Sequence, residues 1–159
     1  MLHVEPASYR AAFEAARDAL RDAGFSIERV DAAAGVITTA PMPALAAWKS
    51  GLLREAGVPQ GASWTAGTVE ARAEFRTHDE TADLREAARP LTLRFEVVER
   101  REHRPSRRID TTSVVYASAF SDREWSRQGL EPAFSVAARR NAAAEAALIR
   151  RTGEALPPQ

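Results

Sequence analysis

Apolar residues recur at helical spacing near the start of the chain, over 8–23. The residues that follow one another at three- and four-residue steps are Phe13, Ala16, Leu20 and Ala23. Ser8 stands where a helix N-cap belongs, and Gly24 supplies the left-handed residue that commonly follows a helix. The pattern predicts an amphipathic helix whose small buried residues allow close approach to the layer beneath.

Two short runs rich in β-branched and aromatic residues follow, at 25–30 and 35–40. The loop between them has four or five residues, which is typical of a β-hairpin, and Pro41 ends the second strand. Beyond this hairpin, apolar residues at helical spacing predict a short helix over 44–56. Gly51 weakens that helix, and a glycine and a proline end it.

The most regular period of two lies at 67–76, where Val69, Ala71, Ala73 and Phe75 alternate with polar residues. Residues 91–100 form a second long strand of the same kind. A partner strand at 112–120, joined to it by a turn at Pro105 and Ser106, would place all the large apolar residues on one face. The predicted opposite pairs are Val97 with Val114, Phe95 with Tyr116 and Leu91 with Phe120.

The end of the chain predicts a long helix that begins at Pro132 and ends at Gly153. One face of it carries Phe134, Ala137, Asn141, Ala144 and Leu148. The residues before the first helix are interpreted as a tail, and 77–89 as an exposed connection.

Together these elements predict an α+β fold, a two-layer sandwich. An antiparallel sheet of about five strands carries the N- and C-terminal helices on one face. The 159 residues fit a single domain, 1–159, with an ordered core of about 8–153.

The amino-acid composition limits the classes of function that the chain can be expected to have. Twenty-two basic residues balance 22 acidic ones, so no bulk attraction to nucleic acid is expected. The chain contains no cysteine and no apolar run of the roughly 20 residues that a membrane helix needs. The usual cofactor and hydrolase motifs are absent, and the consecutive His78, Asp79 and Glu80 make a poor metal ligand set. The sequence therefore predicts no enzymatic activity, no cofactor and no metal.

The segment 100–108, RREHRPSRR, concentrates positive charge at the tip of the predicted hairpin. It could bind phosphate, an anionic glycan or a membrane headgroup through its arginines, which are Arg100, Arg101, Arg104, Arg107 and Arg108. The alternative is a solvated hairpin tip, because arginine is the default basic residue of a chain with only one lysine, Lys49.

The three tryptophans indicate a second candidate site. Trp48, Trp64 and Trp125 could line an apolar pocket between the sheet and the helices, which would make the protein a binder of small apolar ligands. The alternative for Trp48 is that it anchors a connection to the core.

The strings LRDAGF at 20–25 and GVITT at 35–39, with Asp31 and Pro41, resemble a family of small exported bacterial lipoproteins of unassigned function. The segments 129–133 and 147–152 are similar to that family's closing helix. More distantly, the helix–glycine–hairpin opening resembles domains of outer-membrane assembly lipoproteins.

The resemblance implies a lipid-anchored envelope protein without a transmembrane segment in this chain. Its role would be binding or assembly with another envelope protein or an anionic surface, with an oligomer possible. If Met1 is the native start, the expected location is the cytoplasm instead.

Overall fold

The computed structural model describes residues 1–59, 67–79, 83–103 and 134–156, in which helices cover one face of an antiparallel sheet. The strands are β1 (Leu2–Val4), β2 (Ile27–Asp31), β3 (Val36–Thr39), β4 (Met42–Pro43), β5 (Thr68–Arg76), β6 (Leu91–His103) and β7 (Phe134–Arg140). The α-helices are α1 (Tyr9–Asp22), α2 (Ala44–Lys49), α3 (Leu52–Glu55) and α4 (Ala142–Glu154).

The central pair of the sheet is β5 with β6. Ala73 lies opposite Phe95 in this pair, and the register continues unbroken from Thr68–Arg100 to Arg76–Thr92. The sheet order is β1-β6-β5-β3-β2, with β4 also paired to β5 and β7 to β6. This arrangement confirms the α+β two-layer fold, with more strands than the five expected.

The predicted alternation of the two long strands is confirmed by their burial. The side chains that face the helices are buried, and they are Val69, Ala71, Ala73, Phe75, Leu91, Leu93, Phe95 and Val97. The terminal helices α1 and α4 pack against each other and against β5 and β6 respectively. Both helices therefore cover the same face, as the sequence predicts, and the other face of β5 and β6 carries charged residues.

An aromatic cluster joins α1 to the sheet. Tyr9 and Phe13 of α1 both contact Phe75 of β5, with ring centroids 5.3 Å and 5.7 Å away. The Tyr9 hydroxyl donates a 2.6 Å hydrogen bond to the carbonyl oxygen of Ala32, in the turn between β2 and β3. One residue thus ties the first helix, the first hairpin and the central strand together.

The N-terminal residues are a strand and not the expected tail. In β1, Leu2 pairs with Leu93 and Val4 with Leu91, and Val4 is fully buried. The ordered core therefore begins before residue 8. A three-residue strand has too few positions to show a period. Residues 2–4 are a strand because they pair with the edge of β6.

The C-terminal helix begins later than predicted. Residues 134–140 form β7 along the edge of β6, and α4 starts only at Ala142, behind the N-cap Asn141. The prediction that Phe134 and Ala137 lie on the helix is wrong. The pairing partners that β6 offers outweigh the weak helical spacing of these residues.

The predicted hairpin partner of β6 stays a prediction, because residues 112–120 lie outside the described part of the chain, as do Pro105 and Ser106. Within the described residues, β6 pairs with β5 along one edge and with β1 and β7 along the other.

Two connections differ in detail from the sequence prediction. The predicted helix 44–56 is divided into α2 and α3 at Gly51, whose φ of 95° interrupts the helical backbone. The connection 77–89 is not wholly exposed, because Leu84 and Ala87 are buried. Leu84 packs over Gly35, at the start of the second hairpin strand.

Gly35 provides a test of this packing. Its φ is +68°, and an added Cβ would overlap the Leu84 side chain and lie 3.0 Å from the Phe75 Cβ. Gly57 is the matched control, because its φ is +75° but no atom lies within 4 Å of its Cβ position. Gly57→Ala should cost about 1–2 kcal/mol of unfolding free energy from the backbone alone. Gly35→Ala should cost roughly 1–3 kcal/mol more from overpacking.

Urea denaturation of both variants measures the difference. Equal losses for the two would mean that the approach of Leu84 to Gly35 does not contribute to stability.

Tyr9 predicts a pH dependence of stability. Burial, together with the nearby carboxylates of Asp83 and Asp31, raises the pKa of Tyr9 to about 12, against about 10 for an unfolded chain. The stabilising contribution is complete below pH about 10 and is lost as the pH rises through about 12. Between these values, unfolding free energy should fall more steeply for the wild type than for Tyr9→Phe.

Absorbance at 295 nm follows the phenolate directly. The wild-type curve minus the Tyr9→Phe curve should have its midpoint near pH 12, and a midpoint near 10 would contradict the burial of the hydroxyl.

Candidate functional site

The arginine-rich segment begins inside strand β6 and not at a hairpin tip. Arg100 is exposed and donates to the Oε1 atom of Glu70, at 2.6 Å from Nη2 and 3.1 Å from Nε. The backbone of Arg101 lies opposite Val136, immediately after a register irregularity. Arg104, Arg107 and Arg108 lie outside the described residues, so their part of the predicted anion site stays a prediction.

Arg100 belongs to a larger charged surface, which we call the outer face. It consists of the side chains of β5, β6 and β7 that point away from the helices. In the described part of the chain, its charged members are five arginines and three glutamates: Arg72, Arg76, Arg94, Arg100, Arg140, Glu70, Glu74 and Glu96. A shallow groove of about 190 Å³ runs among six of these residues, beside the edge of Phe95.

The charges of the outer face are only partly paired. Glu74 lies 2.9 Å from Arg76 and 3.5 Å from Arg72, and these two guanidinium groups are about half to two-thirds exposed. Arg94 and Glu96 make no ion pair with another residue of the described ranges. The outer face is therefore a positively charged surface on which one cation has no carboxylate partner.

Arg140 closes one end of this surface. Its guanidinium binds both carboxylate oxygens of Glu145 on α4, at 2.5 Å and 2.9 Å. The same carboxylate accepts a 3.2 Å hydrogen bond from the backbone N–H of Val97. The hydrogen bond between the Arg140 and Glu145 side chains raises the pKa of Arg140 above its usual value. Arg140 therefore joins the last strand to the last helix.

The contacts of Trp48 favour an anchoring role. Its indole N–H donates a 2.9 Å hydrogen bond to the carbonyl oxygen of Val58, and the Arg54 guanidinium lies 6.0 Å from the ring centroid. Trp48 thereby ties α2 to the segment that follows α3. Trp64 and Trp125 lie outside the described residues, so the predicted tryptophan pocket is not tested by these contacts.

A larger cleft, which we call the α4 cleft, opens at the first turn of α4 and has a volume of about 420 Å³. Its walls are the segment after α3, the β6–β7 pair and the start of the helix. The lining residues are Ala56, Gly57, Val58, Pro59, Glu99, Arg139, Arg140, Asn141, Ala142 and Ala143. Two of the polar residues, Glu99 and Asn141, are only 5% and 6% exposed.

Glu99 and Asn141 form a connected set of hydrogen bonds. Glu99 Oε1 accepts a 2.5 Å hydrogen bond from the side-chain amide of Asn141. Asn141 Oδ1 in turn accepts from the N–H of Ala144, at 3.0 Å, and the Asn141 backbone donates to the Val97 carbonyl, at 2.8 Å. Asn141 thus caps α4 and fixes the helix to β6.

Sequence reasoning missed this buried carboxylate. The sequence did contain a signal for its burial, because Glu99 lies on the same face of β6 as the buried residues Leu91, Leu93, Phe95 and Val97. A glutamate at the end of an amphipathic strand is usually solvated, however, and only the cap of α4 covers this one.

Of the predicted candidates for metal chemistry, Glu80 lies outside the described residues and Asp79 has a structural role. Asp79 accepts hydrogen bonds from the backbone N–H groups of Ala88 and Arg89, at 2.9 Å and 2.8 Å, and so organises its own loop. Across the described ranges, no three histidine or acidic side chains lie close enough together to hold a metal ion. Likewise, no helix in these ranges is long and apolar enough to cross a membrane.

The role of Asn141 can be tested by stability. Asn141→Ala removes a helix cap and leaves Glu99 without its amide donor, so unfolding free energy should fall by about 2–4 kcal/mol. The control is Ser8→Ala at the N-cap of α1, where the side chain makes no capping hydrogen bond. That substitution should change stability by less than about 0.5 kcal/mol. Chemical denaturation distinguishes the two, and similar small effects would contradict the capping role of Asn141.

Comparison of the chain with protein-family models, with curated proteins and with solved structures found no match.

Proposed function

We propose that this protein is a non-enzymatic binding or assembly module that recognises an anionic partner through its outer face. The partner would be a membrane surface or another protein of the bacterial cell envelope. The envelope location and the lipid anchor rest on the sequence resemblance alone.

The observation that carries the proposal is the arginine-bearing face of β5 and β6, which no helix of the described residues covers. The described helices pack on the opposite face of these strands, and Arg94 has no ion-pair partner among the described residues. A surface with an excess of arginine attracts anions and accelerates their encounter with the protein. The exposed pairs of Glu74 and Glu70 cost little to rearrange, because surface ion pairs contribute roughly 0–1 kcal/mol each.

The shifted carboxyl groups of the described residues have structural explanations and support a non-enzymatic role. Hydrogen bonds from the side chain and backbone of Arg85 lower the pKa of Asp83 to about 2. A hydrogen bond from Arg151 lowers the pKa of Glu55, which joins α3 to α4. Shifted groups that satisfy one another on the surface are typical of structural ion pairs and not of a catalytic centre.

The alternative function, binding of a small apolar ligand between sheet and helices, finds no favourable observation among the described residues. Both the groove of the outer face and the α4 cleft are lined by charged side chains.

Binding to lipid vesicles tests the proposal. The wild-type protein should bind vesicles that contain phosphatidylglycerol, should release them as salt is raised, and should ignore pure phosphatidylcholine. Replacing both Arg72 and Arg94 with glutamine should weaken this binding roughly tenfold or more, because each arginine at an anionic surface contributes about 1 kcal/mol.

The matched control replaces Arg10 and Arg17 of α1 with glutamine, which gives the same change of net charge on another surface. Equal weakening by the two double variants would show that net charge and not the outer face is responsible. A wild type without salt-sensitive binding would refute recognition of an anionic membrane surface. Replacing Arg104, Arg107 and Arg108 with alanine tests the rest of the arginine-rich segment in the same assay.

A further inference from the structure

Glu99 and Arg139 lie side by side on one wall of the α4 cleft without forming an ion pair. They are direct partners in the β6–β7 register, so both side chains lie on the same face of the sheet. Opposite charges at such positions usually interact. Here the Glu99 carboxylate binds Asn141, and Arg139 is exposed, with no ion-pair partner in the described part of the chain. Both residues line the cleft.

The carboxylate of Glu99 makes no ion pair within the described residues. It is 5% exposed, and the hydrogen-bond partner that the described residues give it is one neutral amide donor, 2.5 Å away. A buried carboxylate is stabilised when a positive charge compensates it and further donors use its remaining acceptor positions. An ammonium group in the cleft would supply both.

Arg139, the neighbour of Glu99 in this wall, favours an anion. The Arg139 guanidinium provides a fixed positive charge with a forked set of donors, which suits a carboxylate. The first turn of α4 adds the positive end of the helix dipole, since Ala142 and Ala143 also line the cleft. The cleft therefore offers one acidic group for an ammonium and one basic group for a carboxylate, next to each other.

The remaining lining limits the size of a ligand. The segment after α3 contributes the small apolar residues Ala56, Val58 and Pro59, and the cleft volume is about 420 Å³. That volume lies at the small end of the range of about 300–1,000 Å³ that is usual for ligand pockets. It suits a molecule of the size of an amino acid or a dipeptide.

We propose that the α4 cleft binds a small zwitterion, an amino acid or short peptide with free termini. Its ammonium group contacts Glu99 and its carboxylate contacts Arg139. Neither Glu99 nor Arg139 belongs to the outer face, so either proposal can fail without the other.

Titration calorimetry with three probes on the unmodified protein tests the site without any substitution. The probes are L-alanyl-L-alanine, its N-acetyl derivative and its C-terminal amide. The zwitterionic dipeptide should bind at least tenfold more tightly than either capped form, because each cap removes one of the two charges. Equal affinity for the three, or no measurable binding of the dipeptide, would overturn the proposal.

Substitutions then assign each charge to a residue. Glu99→Gln keeps an acceptor for Asn141 but removes the negative charge, so it should weaken dipeptide binding at least tenfold and leave N-acetyl dipeptide binding unchanged. Arg139→Gln should weaken dipeptide binding similarly and leave binding of the amide unchanged.

The matched controls, Glu14→Gln and Arg10→Gln, lie on the exposed face of α1 and should leave all three affinities as they are. If the cleft variants behave like these controls, the dipeptide binds elsewhere and the proposal is wrong.

Discussion

The structure depends on the pairing of β5 with β6 in a register that separates apolar from charged side chains. Nine consecutive residue pairs join these strands, and the buried apolar residues of both strands fall on the same side. A shift of one residue would send Phe75 or Phe95 to the solvent side. This constraint fixes where the helices must pack, and it also fixes which residues are left to meet a partner.

The second determinant is the far edge of β6, which different parts of the chain cover. The N-terminal β1 pairs at Leu91–Leu93, and β7 pairs from Val98 onward. Between them, Asn141 and Glu145 at the start of α4 satisfy the backbone of Val97. The helix is therefore attached to the sheet by hydrogen bonds as well as by its apolar face, and the α4 cleft lies where this attachment leaves space.

Both candidate binding surfaces follow from these two features. The outer face is charged because the register sends the polar positions of β5 and β6 away from the helices. The α4 cleft has a buried carboxylate because the inner alternation of β6 continues through Glu99, beneath the cap of α4. Trp48, the tryptophan within the described residues, lines neither surface and instead holds α2 against the segment that follows α3.

The sequence by itself determined the elements whose patterns are long or strongly marked: α1, the first hairpin, the strands β5 and β6, and the α+β sandwich with both terminal helices on one face. Periodicity over eight or more residues reports the burial of a whole face, so these predictions needed no knowledge of neighbours. Tertiary structure alone decided that Leu2–Val4 is a strand, that 134–140 pairs with β6 before α4 begins, and that Glu99 is buried. Each of these depends on an edge or a cap supplied by residues far away in the chain, and a local pattern carries no information about such a partner.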